Sequence, residues 1–343
     1  MTHPLKVVLA GCGGISNIWT DAAKAIEGVQ IVGLVDLNPE TARAYAERHK
    51  LAGIPSGTNL AAMIRKTKPD IVFDCTVPEA HKTVTMTALK RGCHVLGEKP
   101  MADTMANARK MVAAAAQAGK TYAVMQNYRY SQDIRRLRRL IESGAIGKIH
   151  TLHSDFFLGI HFGGFRDHMK HVLLLDMAIH TFDAVRFVSG ADPLSVLCYE
   201  WNPPSSWYDH GASAVAMFEM TGGIVYSYRG SWCAEGFDTS WQASWRIIGD
   251  KGTILWDGGG GIQAAGVEPE VHGNTRKTFP IEVPPLSLAP EQQSHSGCLR
   301  DMIACIRTGH APETVCTDNI KSLAMVHAAV ESAEKGRWIK IAL

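Results

Sequence analysis

Lys6-Val7-Val8-Leu9-Ala10-Gly11-Cys12-Gly13-Gly14-Ile15-Ser16 decides the fold of this chain. A short apolar run feeds directly into glycines. A helical pattern then begins, with Ile15, Ile18, Trp19, Ala22 and Ile26 recurring along one helix face. The order is strand, glycine turn, helix. Gly11 permits the tight turn and Gly13 lets a backbone approach a pyrophosphate closely. Ser16 holds the third small position, where helix and strand pack together. The N–H groups and dipole at the helix start suit a diphosphate.

A second strand, Gln30–Val35, ends in Asp36. An acidic residue about 20 residues past the glycines is what a ribose 2′-hydroxyl requires. The glycine pattern alone fits an ordinary turn of an α/β protein; the strand, helix and terminal acid around it point to dinucleotide binding.

Working outward, strands alternate with helices. Asn38–Pro39 reads as an N-cap with proline at the first helical position, and that helix runs to about His49. Around Gly53–Ser56 there is a short strand at best, and Thr58 or Asn59 caps a helix ending near Thr67. Ile71–Cys75 is a buried strand broken by Thr76-Val77-Pro78; helix Ala80–Arg91 and strand His94–Gly97 follow. Glu98-Lys99-Pro100 leads into an alanine-rich helix, Thr104–Ala118, and Thr121–Met125 is a sixth strand. This alternation implies a parallel, doubly wound sheet.

The pattern changes near Asn127. A basic helix, Gln132–Glu142, precedes strand His150–Phe157, a loop over Leu158–His171 and a mostly apolar helix over Val172–Val188. Beyond Leu194 the chain reads as antiparallel sheet. Hairpins are expected at Ser213–Met220 with Ile224–Trp232 and at Gln242–Ile248 with Thr253–Asp257. Gly258–Gly261 is a loose glycine run and Val283–Pro290 a proline-rich connector. Two helices, Pro290–Thr308 and Asp318–Lys335, close the chain. The expected fold class is α/β: a Rossmann domain over 1–126, then an α+β domain over 127–343 with an open, mainly antiparallel sheet for substrate binding and oligomerisation.

The 343 residues suit two domains, and 35 Lys+Arg against 33 Asp+Glu leave no strongly basic face for nucleic acid. No apolar run is long enough to span a bilayer. The first strand begins within a few residues of Met1, leaving no room for a signal peptide. The eight cysteines include no Cys-x-x-Cys pair, and Cys12, Cys75 and Cys93 fall in or beside strands. A reducing, cytoplasmic location is expected.

Asp176 and His180 sit at i and i+4 of the apolar helix, so one face is expected to carry both, with Asp183 a turn further on. Apolar residues surround them, which implies burial and hence a partner or a cavity. Histidine suits proton transfer near neutral pH, oriented by a carboxylate; a buried structural His–Asp pair fits the same pattern. Lys99 follows a strand at the carboxyl edge of the parallel sheet, where ligands bind in such folds. There it would hydrogen-bond a substrate hydroxyl and stabilise a developing alkoxide. A solvated loop lysine is the alternative.

Together these pieces resemble the glucose–fructose oxidoreductase/inositol dehydrogenase (Gfo/Idh/MocA) family over nearly the whole length. The matching motifs are Gly11-Cys-Gly-Gly-Ile-Ser16, Thr76-Val-Pro78 with His81, Glu98-Lys99-Pro100, Asn127-Tyr-Arg129-Tyr and Asp176-x-x-x-His180 with Asp183. The resemblance implies that Lys99 and His180 act at the reacting hydroxyl with Asp176 in support; because such chemistry needs the reacting atoms held close, a cleft between the domains is the expected location. It implies NAD held by the turn residues Gly11, Gly13, Gly14 and Ile15, by Asp36, and by Thr76, Pro78, His81, Glu98, Lys99 and Asn127. It also implies a sugar or polyol substrate and homodimers or homotetramers formed through the open sheet. The expected activity is NAD-dependent hydride transfer from a hydroxyl carbon. Redox-neutral glycoside hydrolysis through transient oxidation uses the same motifs, and a non-catalytic dinucleotide sensor is a third reading.

Two departures concern the substrate. Val172–Leu175 stands where many relatives carry glycines, and the loop from Gly163 to His171 is unusually basic. Arg166, His168 and Lys170 are therefore candidates for binding an anionic sugar; a solvated loop whose charges meet water or Asp167 is the other reading. Trp207, within the Trp207–His210 loop, is a candidate wall of the pocket, whereas Trp241 and Trp245 share strand parity and read as core. His161, His168, His171 and His180 lack the close spacing of a zinc site, and no metal is expected.

Overall fold

The computed structural model describes residues 3–51 and 53–343. The chain divides into two compact units, 1–130 with 288–323, and 131–287 with 324–343.

Among the described residues the first unit carries a six-stranded sheet of β1 (Leu5–Ala10), β2 (Val29–Val35), β3 (Ser56–Gly57), β4 (Ile71–Asp74), β5 (His94–Gly97) and β6 (Tyr122–Val124), in the order β3-β2-β1-β4-β5-β6. All pairings are parallel. Val7–Leu9 and Ile71–Phe73 are fully buried, as strands covered on both faces must be. The helices are α1 (Ser16–Lys24), α2 (Pro39–Arg48), α3 (Leu60–Thr67), α4 (Pro78–Leu89) and α5 (Met105–Ala118). Their starts follow the local chemistry. Asn38 Oδ1 accepts from Glu40 N at 2.9 Å ahead of Pro39, Asn59 Oδ1 accepts from Ala62 N at 2.9 Å, and Thr104 Oγ1 accepts from Asn107 N at 3.2 Å. The strand order reverses between β1 and β4, so the carboxyl ends of those strands form the binding crevice of this half.

The expected boundary at 126/127 lies close to the outgoing division at 130/131. The segment 288–323, expected in the second domain, belongs to the first unit. Cys298, Leu299, Met302 and Ile303 of the Ser294–Thr308 helix share one buried core with Val7, Leu9, Trp19 and Phe73. Arg129 bonds Asp318 at 2.6 Å, and Tyr130 Oη bonds Asp301 at 2.7 Å.

The second unit is built on β7 (Ile149–Phe157), β8 (Pro193–Trp201), β9 (Ser213–Met220), β10 (Ile224–Ser231), β11 (Ser244–Gly249), β12 (Gly252–Trp256), β13 (Ile262–His272), β14 (Thr275–Pro280) and β15 (Ile339–Lys340), with helices α6 (Gln132–Glu142) and α7 (Ile179–Ser189). The order is β14-β13-β12-β11-β7-β10-β9-β8-β15. Within this sheet only β7 and β10 pair in parallel among the described strands, so it is mixed and mostly antiparallel. Leu152, Phe156, Phe218, Tyr226 and Ile247 are fully buried, whereas Tyr199, Val215, Met217, Val225 and Leu255 are exposed.

Two expectations change here, and one hairpin is unforeseen. The helix foreseen over Val172–Val188 opens as a π-helix over Leu173–Ala178 before α7. An apolar segment with no polar face has no phase, so the wider turn leaves no periodic trace. Trp241, expected in strand core, precedes the strand, which begins only at Ser244 after Ala243 at φ 63°; the residue is 45 % exposed. Trp245 is buried as expected. The hairpin of β13 and β14 carries few buried side chains and a proline in each strand, so no alternation announces it.

Candidate active site

In the first unit, β1 runs out at Ala10 and the chain turns at Gly11. Its φ is 89°, and a Cβ there would lie 2.5 Å from the Cys75 carbonyl oxygen. Gly11 is thus required by the turn itself. At Gly13 and Gly14 a Cβ would meet no atom within 4 Å. These glycines are not demanded by the chain's own packing; they leave the backbone bare beside the start of α1. Ser16 is fully buried and its hydroxyl donates to Gly13 O at 2.6 Å, bracing the turn against the helix. The first N–H groups of a helix have no partner within it.

Asp36 stands at the end of β2. Its Oδ2 accepts from Cys12 N and its Oδ1 from Asn38 N, each at 2.9 Å. Both oxygens are thereby aimed, and each keeps lone-pair capacity for a ribose hydroxyl. The next residue, Leu37, is 93 % exposed and brings no charge. A bare glycine turn, a helix start and an oriented carboxylate fit a dinucleotide with an unphosphorylated ribose.

A buried polar network lies at the ends of β4 and β5. Asp74 is fully buried; it accepts from Thr76 Oγ1 at 2.5 Å and lies 3.1 Å from His81 Nδ1. Pro78 opens α4, which carries His81. Burial alone would lower the His81 pKa, but the Asp74 carboxylate outweighs it and holds the imidazole above its ordinary value. His81 Nε2 is buried with no hydrogen-bond partner among the described residues. A buried polar atom of this kind calls for a ligand or a role.

Glu98 follows β5. One carboxylate oxygen accepts from Trp19 Nε1 at 2.7 Å, and the other from Lys99 N at 3.0 Å. Burial pushes its pKa up, opposed by the Lys99 charge and by these two donors. The Lys99–Pro100 peptide is cis. Asn127 Nδ2 donates to Ser294 Oγ at 3.3 Å, and that hydroxyl lies 3.2 Å from His295 Nδ1. Burial, aided by the Lys99 charge, brings His295 down to about 4, so it is neutral at physiological pH. Trp19 and His295 escape a reading of the sequence alone. Trp19 looks like one more apolar helix position, and His295 lies far along the chain from Lys99.

In the second unit, His180 is 8 % exposed on α7. Asp176 lies in the π turn ahead of it, so the i, i+4 rule of an α-helix does not carry from one to the other. Asp176 Oδ2 accepts from Arg166 Nε at 2.7 Å. Asp183 is fully buried and pairs with Arg186 at 3.9 Å, an ion pair along α7. Three histidines of the basic loop also meet acids. His168 Nδ1 lies 2.6 Å from Asp209, His171 lies 2.5 Å from Glu200 and 3.5 Å from Glu334, and His161 lies 3.1 Å from Glu235. Lys170 is exposed. Trp207 donates from Nε1 to Ile160 O at 3.2 Å, and one ring face is stacked on His161 at 3.6 Å.

The two halves carry the signatures of one enzyme family. A model described as an oxidoreductase family with an NAD-binding Rossmann fold matches residues 5–126, and a GFO/IDH/MocA C-terminal domain matches 134–255. The chain belongs to the Gfo/Idh/MocA oxidoreductases. NAD is the cofactor of this family's Rossmann domain, and the glycine turn with Asp36 is where this chain would hold it. Among curated relatives, a D-apiose dehydrogenase of Paraburkholderia graminis is 29 % identical over 98 % of this chain and 89 % of its own length. A D-glucoside 3-dehydrogenase of Escherichia coli is 29 % identical over 55 % of each. An oxidoreductase from Agrobacterium radiobacter, solved with NAD+, L-tartaric acid and magnesium, superposes with a TM-score of 0.85 at 24 % identity over 98 % of both chains. That likeness establishes the fold. No described helix is long and apolar enough to cross a membrane.

Proposed function

We propose that this protein is an NAD-dependent dehydrogenase of an uncharged sugar, sugar derivative or cyclic polyol. The observation that carries the reading is the presence of Lys99, Asp176 and His180 together, in the Glu-Lys-Pro and Asp-x-x-x-His motifs, in a chain with an NAD-binding fold. NAD, when bound, accepts hydride from the hydroxyl carbon. His180 takes the hydroxyl proton on an imidazole nitrogen. Lys99 donates to the same oxygen and stabilises its developing charge. Asp176, held by Arg166, balances the imidazolium that forms.

The sugar class draws support from the D-apiose and D-glucoside dehydrogenases among the relatives. A neutral substrate draws support from the carboxylates that already meet Arg166, His168 and His171. Arg166, His168, Lys170 and Trp207 are accordingly read as the frame of the substrate loop. The deciding experiment follows NADH absorbance with the purified protein, NAD and a panel of aldoses, glucosides and inositols beside their acidic counterparts. Reduction of NAD by a neutral member supports the reading. Turnover of acidic sugars alone contradicts the neutral class, and glycoside cleavage without NADH release identifies redox-neutral hydrolysis.

We also infer that copies pair through the outer face of the second unit's sheet, where Tyr199, Val215, Met217 and Val225 leave apolar surface exposed. Val215→Glu with Met217→Glu should convert the dimer or tetramer to monomer in sedimentation; a monomeric wild type contradicts this. All eight cysteines are free thiols, in keeping with a reducing, cytoplasmic compartment.

A further inference from the structure

Trp19 lies one turn into α1, the helix whose start borders the bare glycines. It is fully buried, with its ring edge-on to Phe73 at 5.3 Å. Its indole N–H meets one oxygen of Glu98 at 2.7 Å, and the other oxygen of Glu98 receives the Lys99 backbone N–H at 3.0 Å. We propose that Trp19 is a positioning residue for Lys99: its N–H fixes the buried Glu98 carboxylate, and the carboxylate in turn fixes the backbone from which the lysine side chain springs. This inference rests on the reading of Lys99 as the residue that polarises the substrate oxygen.

Glu98 is 6 % exposed, and a carboxylate at that depth stays charged only while donors and positive charge hold it. The groups facing it are the Lys99 charge, the His81 imidazole, the Cys75 thiol and the Trp19 indole, with Asp74 behind His81. Its two oxygens receive the Trp19 indole N–H and the Lys99 backbone N–H, one each. A phenylalanine at position 19 keeps an aromatic ring against Phe73 but has no N–H. Without that donor the charged form of Glu98 is less well held, the carboxyl takes up a proton at higher pH, and its grip on the Lys99 backbone weakens. The indole also ties the helix that starts at the cofactor turn to the turn that carries Lys99. Cofactor and lysine are thereby kept in register by one hydrogen bond.

The test is Trp19→Phe, in the wild type and in a Glu98→Gln background. Three readouts are taken: the pH profile of kcat/KM, NAD affinity by calorimetry, and the titration of the Glu98 carboxyl by 13C NMR in the cofactor-free protein. The expected result is NAD affinity within about threefold of wild type, and a Glu98 titration moved up by about one pH unit. The acid limb of kcat/KM, which His180 also shapes, should rise with it, and in the Glu98→Gln background, where His180 alone sets the limb, Trp19→Phe should no longer move it. An unmoved Glu98 titration overturns the inference, as does an equal displacement of the limb in the Glu98→Gln background. If no substrate is turned over, the reading of Lys99 fails while the titration still decides whether Trp19 controls Glu98. Should Trp19→Phe not fold, Trp19→Leu, which also lacks the N–H, takes its place in the same Glu98 titration, and an unmoved titration overturns the inference.

Discussion

Arg166 Nε donates to Asp176 Oδ2 at 2.7 Å, while the rings of Phe162 and Phe165 flank the same guanidinium at 4.9 and 4.7 Å. This arginine is committed to Asp176, the carboxylate proposed above to support His180. Its loss should therefore be felt in the chemical step. Arg166→Ala is expected to lower kcat for the preferred neutral sugar about tenfold, with KM changed only a few fold. Steady-state kinetics on a neutral sugar and its acidic analogue check this. A large rise in KM confined to the acidic analogue would instead make Arg166 a substrate anion clamp.

Cofactor choice follows from Asp36. Its carboxylate is fixed by Cys12 N and Asn38 N, a 2′-phosphate would face that charge, and Leu37 and Asn38, next along the chain, bring no cation to offset it. NAD should be preferred over NADP by at least about tenfold in kcat/KM. Asp36→Ser should narrow the gap by removing the repulsion. Equal efficiency with the two cofactors in the wild type would contradict the assignment.

Two glycines of one turn should respond differently. Gly11→Ala sets a Cβ against the Cys75 carbonyl in a left-handed conformation. It should cost about 2–5 kcal/mol of stability, seen as a lowered Tm. Gly13→Ala meets no protein atom within 4 Å, so the fold should stand while NAD affinity falls about tenfold or more by calorimetry. The reverse pattern would mean that the bare backbone at Gly13 is not the cofactor surface.

Much of the first unit was legible because parallel strands buried on both faces are written as unbroken apolar runs, and because its turns use Gly11, Asn38–Pro39 and Thr104 for reasons that act locally. The motif residues Glu98, Lys99, Asp176 and His180 were legible as residue types. Their partners were not. Trp19 meets Glu98 across 79 positions of chain, and no periodicity records a contact of that range. The charges of the 161–171 loop read as a basic surface because Asp209, Glu200 and Glu334, which meet them, arrive from distant elements. The π turn at Asp176 left no mark in an apolar run, and the edge hairpin of β13 and β14 has too few buried side chains to alternate.

His171 offers a test of those loop contacts by pH. A hydrogen bond to Glu200 holds its pKa above the ordinary 6.5, against partial burial and with help from the charges of Glu200 and Glu334. A raised folded pKa adds stability that is complete below 6.5 and is lost as pH rises through the folded value. His171→Asn tolerates the φ of 54° at this position but has no such titration. The Tm gap between wild type and variant should be widest near about pH 6 and narrow at higher pH. A gap independent of pH would show that folding leaves the His171 pKa unshifted, and a gap that widens as pH rises would show it lowered.

The most direct measurement compares His180→Ala and Lys99→Ala with wild type on a neutral sugar that reduces NAD, by steady-state turnover beside NAD affinity from calorimetry. Each variant should lose on the order of 10²–10⁴ in kcat, with NAD affinity within a few fold of wild type. Near-normal turnover in His180→Ala would contradict the account and leave the residue a structural member of a buried helix.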